Sequence, residues 1–346
     1  MLGDMLRKVL RRQDLTSEEA AFAMDAIIDG KARGAQVAGL LVGLAMKGER
    51  PDEIVGFARA MRERAVKIAV PGGGVVDMCG TGGDGAGTFN ISTVSALVVA
   101  ACGVAVAKHG NRSVSSRCGS ADVFEALGVN VAAPPAVAER CLREAGLAFL
   151  FAPVFHPSMR NAAGLRRELG VRTAFNLLGP LTNPTSPVRQ LVGVPRPELT
   201  ELIARALALL GSERAWVVHG ADGLDEISTT GYTKISECRR GTVNTFYLHP
   251  AEVGLVKAAP SALVGGDAST NAAIARDVLR GVRGACRDIV LLNAGAVLFL
   301  SGKAESVRDG IGRAGSAIDA GAAERVLEKL VALSQQTDSA PSEGEA

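Results

Sequence analysis

The chain has 346 residues, enough to bury a large core and to divide into more than one domain. Its 38 basic and 36 acidic residues leave a formal net charge of +2, which argues against nucleic acid as a partner and favours a small-molecule substrate. The six cysteines form no Cys-x-x-Cys pair, so neither a zinc site nor a disulfide framework is predicted, and no apolar stretch is long enough to span a membrane. We therefore expect a cytoplasmic protein with reduced thiols and no membrane partner.

Residues 1–70 predict a small domain made only of helices. Thr16-Ser-Glu-Glu19 has the pattern of a capping box in front of an amphipathic run. An Ala- and Leu-rich run begins at Ala35 and ends at Gly48, where a glycine favours a helix end. Pro51, followed by two acidic residues, is typical of the first turn of another helix.

After residue 71 the pattern changes to strand, glycine loop and helix. Val75–Asp77 predicts a strand that precedes a helix over 90–102, and Val104–Ala107 predicts the next strand, before a helix over 120–127. A helix over 198–210 and a later strand continue the alternation. The sequence therefore predicts an α/β fold with a mainly parallel central sheet behind a small all-helical N-terminal domain.

Two polar loops follow the first two predicted strands. The first, Gly80–Gly87, contains five glycines, and the absence of a Cβ lets its backbone approach phosphate oxygens. Asn90–Thr93 then begins a helix whose free N–H groups favour negative charge. The second loop carries the cations Lys108 and Arg112. Because the carboxyl ends of parallel strands meet at one edge of the sheet, the two loops predict one site for a phosphate-bearing ligand.

Three other interpretations of the glycines are weaker. Gly80-x-Gly-x-x-Gly85 fits the dinucleotide fingerprint, but the acidic residue required about 20 positions later is replaced by Lys108 and His109. A Walker loop needs Lys-Ser/Thr after its last glycine, whereas Gly87 is followed by Thr88. A glycine-rich surface loop beside an ordinary basic turn is disfavoured because both loops follow strand-like runs.

Asp225 and Glu226 are adjacent carboxylates in a loop that follows the strand-like run Ala215–His219. Such oxygen ligands suit Mg²⁺, which usually takes one or two carboxylates from the protein together with substrate phosphates. Two acids in a loop are also common on a solvated surface. This pair, however, is predicted at the sheet edge that carries the phosphate loops, so we expect a magnesium site.

Arg166 and Arg167 lie on a predicted helix, where neighbouring side chains point about 100° apart. Only one of the two can therefore face a cleft, and its planar fork would match a carboxylate bidentately. The alternative is an exposed arginine paired with Glu168 or another neighbour. By spacing alone, His156 is more typical of a structural histidine.

These segments closely resemble the anthranilate phosphoribosyltransferase family of tryptophan biosynthesis. The resemblance extends over nearly the whole chain and is carried by these motifs: Gly80–Asp84, Asn90–Thr93, Lys108–Arg112, Gly119–Asp122, His156-Pro157, Arg166–Gly170, Asn176–Pro184, Val218–Gly220 and Gly223–Ile227.

The resemblance implies a fold of the nucleoside phosphorylase and phosphoribosyltransferase type. It completes the helical domain, residues 1–70, with about 157–181, which resume helical periodicity without strands. Residues 71–156 and 182–334 are then expected to form the α/β domain that binds phosphoribosyl pyrophosphate. The Ser-, Pro-, Glu- and Gly-rich residues 335–346 are expected to be a disordered tail.

The resemblance also implies the role of individual residues. Those expected to bind phosphoribosyl pyrophosphate are Gly80, Gly83, Asp84, Thr88, Asn90, Ile91, Ser92, Thr93, Lys108, His109, Gly110, Asn111, Arg112, Ser113, Val114, Ser115, Ser116 and Ser120. Those expected at the anthranilate site are Gly80, Asn111, Arg166, Pro153 and His156. Asp225 and Glu226 are expected to hold one magnesium ion and Ser92 to contact a second.

The implied reaction transfers 5-phosphoribose from phosphoribosyl pyrophosphate to the amino group of anthranilate and releases pyrophosphate. No covalent nucleophile is needed, and His109 is not expected to be a general base because the aromatic amine is already neutral. The resemblance further implies a homodimer joined through the helical domains and leaves open an association with a glutamine amidotransferase subunit. A pyrimidine nucleoside phosphorylase and a non-catalytic nucleic-acid-binding relative share the expected fold, but neither calls for the acidic pair and the carboxylate-binding arginine together.

Overall fold

The computed structural model describes residues 2–70, 72, 74–113 and 117–336. The helices are α1 Leu2–Leu10, α2 Ser17–Ile28, α3 Gly34–Lys47, α4 Pro51–Glu63, α5 Ile91–Ala101, α6 Ser120–Ala126, α7 Pro135–Ala145, α8 Ala152–Phe155, α9 Arg160–Leu169, α10 Leu199–Leu209, α11 Ala268–Leu279, α12 Ala285–Leu300, α13 Val307–Asp319 and α14 Ala322–Ser334. The strands are β1 Val76–Gly80, β2 Val106–Gly110, β3 Leu147–Phe151, β4 Arg189–Gly193, β5 Arg214–Gly220, β6 Thr233–Arg239 and β7 Thr242–Leu248. Short 3₁₀ turns lie at Pro157–Met159, Ala174–Asn176, Gly179–Leu181, Pro250–Val253 and Pro260–Leu263.

Helices α1 to α4 form the N-terminal bundle, and their ends follow the predicted signals. The capping box is present at the start of α2, where the Thr16 side chain accepts from Glu19 N–H and the Glu19 side chain accepts from Thr16 N–H. Glu53, in the first turn of α4, is fully buried. Its carboxylate accepts from Leu15 N–H at 2.9 Å and lies 3.1 Å from Lys47 Nζ, so the buried charge is paired.

The α/β part is built on one seven-stranded sheet with the order β3-β2-β1-β4-β5-β6-β7. The first five strands are parallel, which confirms the predicted mainly parallel sheet. Strands β6 and β7 add an antiparallel hairpin at one edge that the sequence analysis did not predict. Its two-residue turn has positive φ at Arg240 and Gly241, 48° and 83°, as a tight hairpin turn requires.

One strand boundary differs from the prediction. Strand β2 covers Val106–Gly110 and not Val104–Ala107, so Lys108 and His109 are strand residues rather than the beginning of a loop. Both are buried, with 1% and 6% of their surface exposed. The strand continues past the apolar residues Val104–Ala107 because the buried Lys108 ammonium donates hydrogen bonds to acceptors inside the protein.

The described residues form two apolar clusters. One lies between the sheet and helices α5, α7, α12 and α14. The second contains residues of the N-terminal helices, of the segment around α9, of α10, and of one face of β4 and β5. Phe57, Phe175 and Leu207 are among its buried members. Residues from the predicted segment 157–181 therefore pack with the bundle while also touching the sheet side. No helix of the described ranges is long and apolar enough to cross a membrane, and 337–346 of the predicted tail lie outside those ranges.

Candidate active site

The glycine loop leaves the carboxyl end of β1 and is fixed at both ends. At its start, Thr81 N–H donates to Gly193 O of the neighbouring strand β4 at 2.9 Å. At its end, Gly265 N–H donates to Gly87 O at 2.9 Å, and Thr88 forms a β-bridge with Val264. Four of its glycines have φ between 65° and 84°, the left-handed region that side chains disfavour: Gly82, Gly83, Gly85 and Gly87. The backbone conformation therefore requires glycines at these positions.

Lys108, Ser92 and Glu226 come together beneath this loop. Lys108 Nζ, on β2, donates to Met78 O at 2.6 Å and to Ser92 Oγ at 3.2 Å. Ser92 is in the first turn of α5, and its N–H donates to Glu226 Oε1 at 3.1 Å. The helix N-terminus predicted to favour an anion thus holds the carboxylate of Glu226. Thr93, Ile91 and Asn90 lie in the same turn.

Asp225 also lies against the glycine loop. Its Oδ2 accepts from Gly82 N–H at 3.0 Å. A Cβ on Gly80 would be 2.2 Å from Asp225 Oδ2, and a Cβ on Gly193 would be 1.6 Å from Asp225 O. Glycine is therefore needed at the ends of both β1 and β4 so that the acidic loop can approach them.

The acidic residues Asp84, Asp225 and Glu226 form a partly buried group of negative charge. Burial, and then repulsion by Asp84, raises the pKa of Asp225. Burial, and then repulsion by Asp225, raises the pKa of Glu226, and attraction by Lys108 partly offsets this increase. Clustered oxygen donors whose charges repel one another fit a hard divalent cation. Asp225, Glu226 and the Ser92 hydroxyl are thus suited to Mg²⁺ by their chemistry.

His109 and His156 face each other with ring centroids 5.2 Å apart. His109 Nδ1 lies 3.0 Å from Gly179 O and therefore carries the proton, and neither Nε2 has a hydrogen-bond partner among the residues that the structure describes. Burial lowers the pKa of His109 to about 3 and that of His156 to about 4. Both imidazoles are therefore neutral at pH 7. Pro153 lies on the exposed side of the short helix α8, one turn before His156.

Helix α9 orients its two adjacent arginines differently. Arg166 is partly buried, its guanidinium lies 5.1 Å from the centroid of the Phe175 ring, and burial lowers its pKa. Arg167 is exposed. Within the described ranges no carboxylate lies within ion-pair distance of Arg166. Arg166 is therefore the arginine on the inner side of the helix, and its contact with the anthranilate carboxylate stays a prediction.

The second predicted loop begins at Gly110, where a Cβ would lie 2.4 Å from Ser120 Oγ. Asn111 accepts through Oδ1 from Arg112 N–H at 2.8 Å. The Arg112 guanidinium is ion-paired with Asp122 and Glu125 of α6, at 2.9 and 2.7 Å. Its contact with a phosphate stays a prediction. Val114, Ser115 and Ser116 lie outside the described residues, and Ser113 precedes them.

Several supporting residues were missed by the sequence analysis. Asn271 Nδ2 donates to Asn90 Oδ1 at 2.9 Å, while Asn90 Nδ2 donates to Cys118 O at 3.3 Å, which ties the two phosphate loops together. The buried Asp77 accepts from Asn183 Nδ2 at 2.8 Å beneath β2, and burial raises its pKa. Buried polar residues of this kind lack a local sequence signal, because their partners are distant along the chain.

Comparison with known proteins identifies the class to which this fold and site belong. Residues 3–65 match the helical bundle domain of a glycosyl transferase family, and residues 72–324 match its α/β domain. The anthranilate phosphoribosyltransferase of Moorella thermoacetica is 56% identical over 332 residues, which is 96% of this chain and 98% of that protein.

Solved structures agree. The crystal structure of anthranilate phosphoribosyltransferase from Thermus thermophilus superimposes with a TM-score of 0.91 at 46% identity and covers 96% of this chain and all of that one (100%). The Saccharomyces cerevisiae enzyme in complex with PRPP and Mg gives a TM-score of 0.88 at 28% identity, covering 96% of this chain and 97% of that one. The chain belongs to the anthranilate phosphoribosyltransferase family.

Proposed function

We propose that the protein transfers the 5-phosphoribosyl group of phosphoribosyl pyrophosphate to the amino group of anthranilate. The products are N-(5-phosphoribosyl)-anthranilate and pyrophosphate, in a step of L-tryptophan biosynthesis. Family membership supports this function, as do the solved yeast relatives with PRPP and Mg and with 4-fluoroanthranilate. The observation that carries it is the convergence of Asp225, Glu226 and Lys108 on the glycine loop and the start of α5.

In this reaction the bond from ribose C1 to the pyrophosphate oxygen breaks, and its electron pair leaves with pyrophosphate. The amine lone pair forms the new N–C1 bond, and the resulting ammonium loses a proton to water. The residues of the glycine loop bind the donor, while Lys108 supplies positive charge from below and holds the Ser92 hydroxyl in place. Mg²⁺, when bound by Asp225, Glu226 and Ser92, supplies further positive charge for the pyrophosphate. We propose two ions per subunit, as the resemblance implies.

The acceptor side requires recognition of a carboxylate and an aromatic ring. The unpaired fork of Arg166 suits the carboxylate of anthranilate. We place the uncharged rings of His109 and His156, together with Pro153, on the acceptor side, where they would pack against the aromatic ring. We place Asn111 and Gly80 at the junction of the donor and acceptor sites.

The direct test is a fluorescence assay that follows the loss of anthranilate. Consumption should require both phosphoribosyl pyrophosphate and Mg²⁺, and one pyrophosphate should appear for each anthranilate used. A preparation that leaves anthranilate unchanged but cleaves a pyrimidine nucleoside with inorganic phosphate would refute the proposal.

The assembly and location of the enzyme are further parts of the proposal. A homodimer through the helical bundle is supported by exposed apolar side chains on that bundle, since Leu10 of α1 is 71% and Met46 of α3 is 76% exposed. A cytoplasmic location is supported by six cysteines that are all free thiols. We also propose the domain division given by residues 1–70 with 157–181, and association with an amidotransferase subunit stays a prediction from the resemblance.

A further inference from the structure

Arg172 contacts the glycine loop from the segment that follows α9. It lies three residues after the end of α9, beyond Gly170, which leaves the helix with φ 62°. Its Nη2 donates to Gly82 O at 2.8 Å. A Cβ on Gly83 would be 1.5 Å from Arg172 Nη1. The guanidinium therefore lies directly on the loop that is predicted to bind the donor's phosphates.

Gly82 connects this arginine to the acidic group. Its C=O accepts from Arg172, while its N–H donates to Asp225 Oδ2 at 3.0 Å. Burial, and then repulsion by Arg196, lowers the pKa of Arg172, and attraction by Asp225 and Asp84 partly offsets this effect. No carboxylate lies within ion-pair distance of the guanidinium in the described ranges. Arg172 is exposed, and four of its five N–H donors are not used by the described residues.

The other two candidate cations are already engaged. Lys108 donates to Met78 O and Ser92 Oγ beneath the loop. Arg112 is bound by Asp122 and Glu125. Arg172 is thus the exposed cation on the glycine loop with donors to spare, and a guanidinium fork matches two phosphate oxygens at once.

We propose that Arg172 binds the pyrophosphate group of the donor and stabilises it as a leaving group; this inference rests on the proposed function. As the C1–O bond breaks, its electron pair adds negative charge to the pyrophosphate oxygens that face Arg172. The guanidinium fork of Arg172 would stabilise that charge from its position on the glycine loop. Because Arg172 is only six residues from Arg166, one short segment contacts both substrates.

The test measures binding of the product pyrophosphate in the presence of Mg²⁺ by isothermal titration calorimetry, together with steady-state kinetics. Arg172→Ala should weaken pyrophosphate binding by about tenfold to a hundredfold, the loss expected for charge-assisted hydrogen bonds. The KM for phosphoribosyl pyrophosphate should rise and kcat should fall, while the KM for anthranilate changes little. Arg167→Ala, which removes an exposed arginine of the same segment, is the matched control and should leave all values unchanged.

Two further variants separate binding of the ligand from support of the loop. Arg172→Lys keeps the charge and should retain part of the affinity, whereas Arg172→Gln keeps only a neutral donor for Gly82 O and should bind as weakly as Arg172→Ala. Full affinity in Arg172→Gln, or a defect confined to the anthranilate KM, would overturn the inference while leaving the proposed function intact. Failure of the unchanged protein to consume anthranilate would instead contradict the proposed function.

Discussion

Asp225→Asn combined with Glu226→Gln should stabilise the metal-free protein and strongly reduce its turnover. Each amide keeps an oxygen that can accept from its present donor, Gly82 N–H or Ser92 N–H, so the local hydrogen bonds survive. The substitutions remove two partly buried charges that repel each other and Asp84. We expect a gain of about 1 to 3 kcal/mol in the free energy of unfolding, the usual cost of burying an incompletely compensated polar group.

The sign of the pH dependence follows from the raised pKa values of Asp225 and Glu226. A carboxyl whose pKa is higher in the folded state destabilises the fold as the pH rises above its unfolded value of about 4. The wild type should therefore lose stability relative to the double variant as the pH rises, and the difference should disappear below about pH 4. Thermal unfolding in EDTA at several pH values measures it.

Magnesium should make the wild type more stable than the double variant. Binding only to the folded wild type, Mg²⁺ at about 100 times its Kd adds roughly 2.7 kcal/mol, whereas the double variant should gain little. Turnover should fall by about a hundredfold or more. Asp277→Asn with Glu328→Gln, the same substitutions at exposed positions, is the control for both measurements. A double variant that is less stable than the wild type in EDTA at pH 8 would refute the argument from charge repulsion. A double variant that keeps normal turnover and Mg²⁺ dependence would show that this pair is not the metal site.

Substitutions at two other positions test the acceptor site and the support of the donor site. Arg166→Ala should raise the KM for anthranilate by about tenfold or more with a small change in kcat, because the lost contact is to a carboxylate that does not react. An equal effect of Arg167→Ala would refute the choice of arginine. Asn271→Ala should raise the KM for phosphoribosyl pyrophosphate by about tenfold, because the buried hydrogen bond to Asn90 is lost. Asn271→Asp should have the same effect, although its side chain can still accept from Gly266 N–H. Equal increases in the KM values of both substrates would instead indicate a general loss of structure.

Local patterns were sufficient to predict the main elements. The capping box at Thr16, the proline that begins α4 at Pro51 and the strand, loop and helix order around Gly80 are all encoded within a few residues. The parallel sheet follows from that order, and so does the meeting of the glycine loop with Asp225 and Glu226 at one sheet edge. The hairpin of β6 and β7 was missed because its alternating side chains are largely polar at the sheet edge.

The supporting contacts could not be predicted because each joins residues that are far apart in sequence. Arg172 and Gly82 are separated by 90 positions, Asn183 and Asp77 by 106, and Asn271 and Asn90 by 181. None of these pairs has a spacing that a helix or a hairpin would impose. Only the folded chain shows that these polar side chains are partners, which is why the sequence predicted the glycine loop and the acidic pair but not the residues that hold them in place.

His109 is the residue most easily mistaken for a general base, and its environment argues against that role. Burial, with smaller contributions from His156 and Lys108, lowers its pKa to about 3, so it is a weak base at pH 7 and cannot be the source of an ionisation near 6.5. The amine of anthranilate is neutral, and its proton becomes acidic only after the N–C1 bond has formed.

His109→Asn should therefore reduce kcat by less than about a hundredfold, the lower limit for a positioned base, and the pH profile of kcat should show no histidine ionisation in either protein. The neutral, buried ring also predicts an effect on stability. Since the unfolded state binds a proton at His109 below about pH 6.5 and the folded state does not, the wild type should lose stability relative to His109→Asn as the pH falls through that range. A thousandfold loss of kcat, together with the disappearance of an ionisation near pH 6.5, would show that His109 does move the proton.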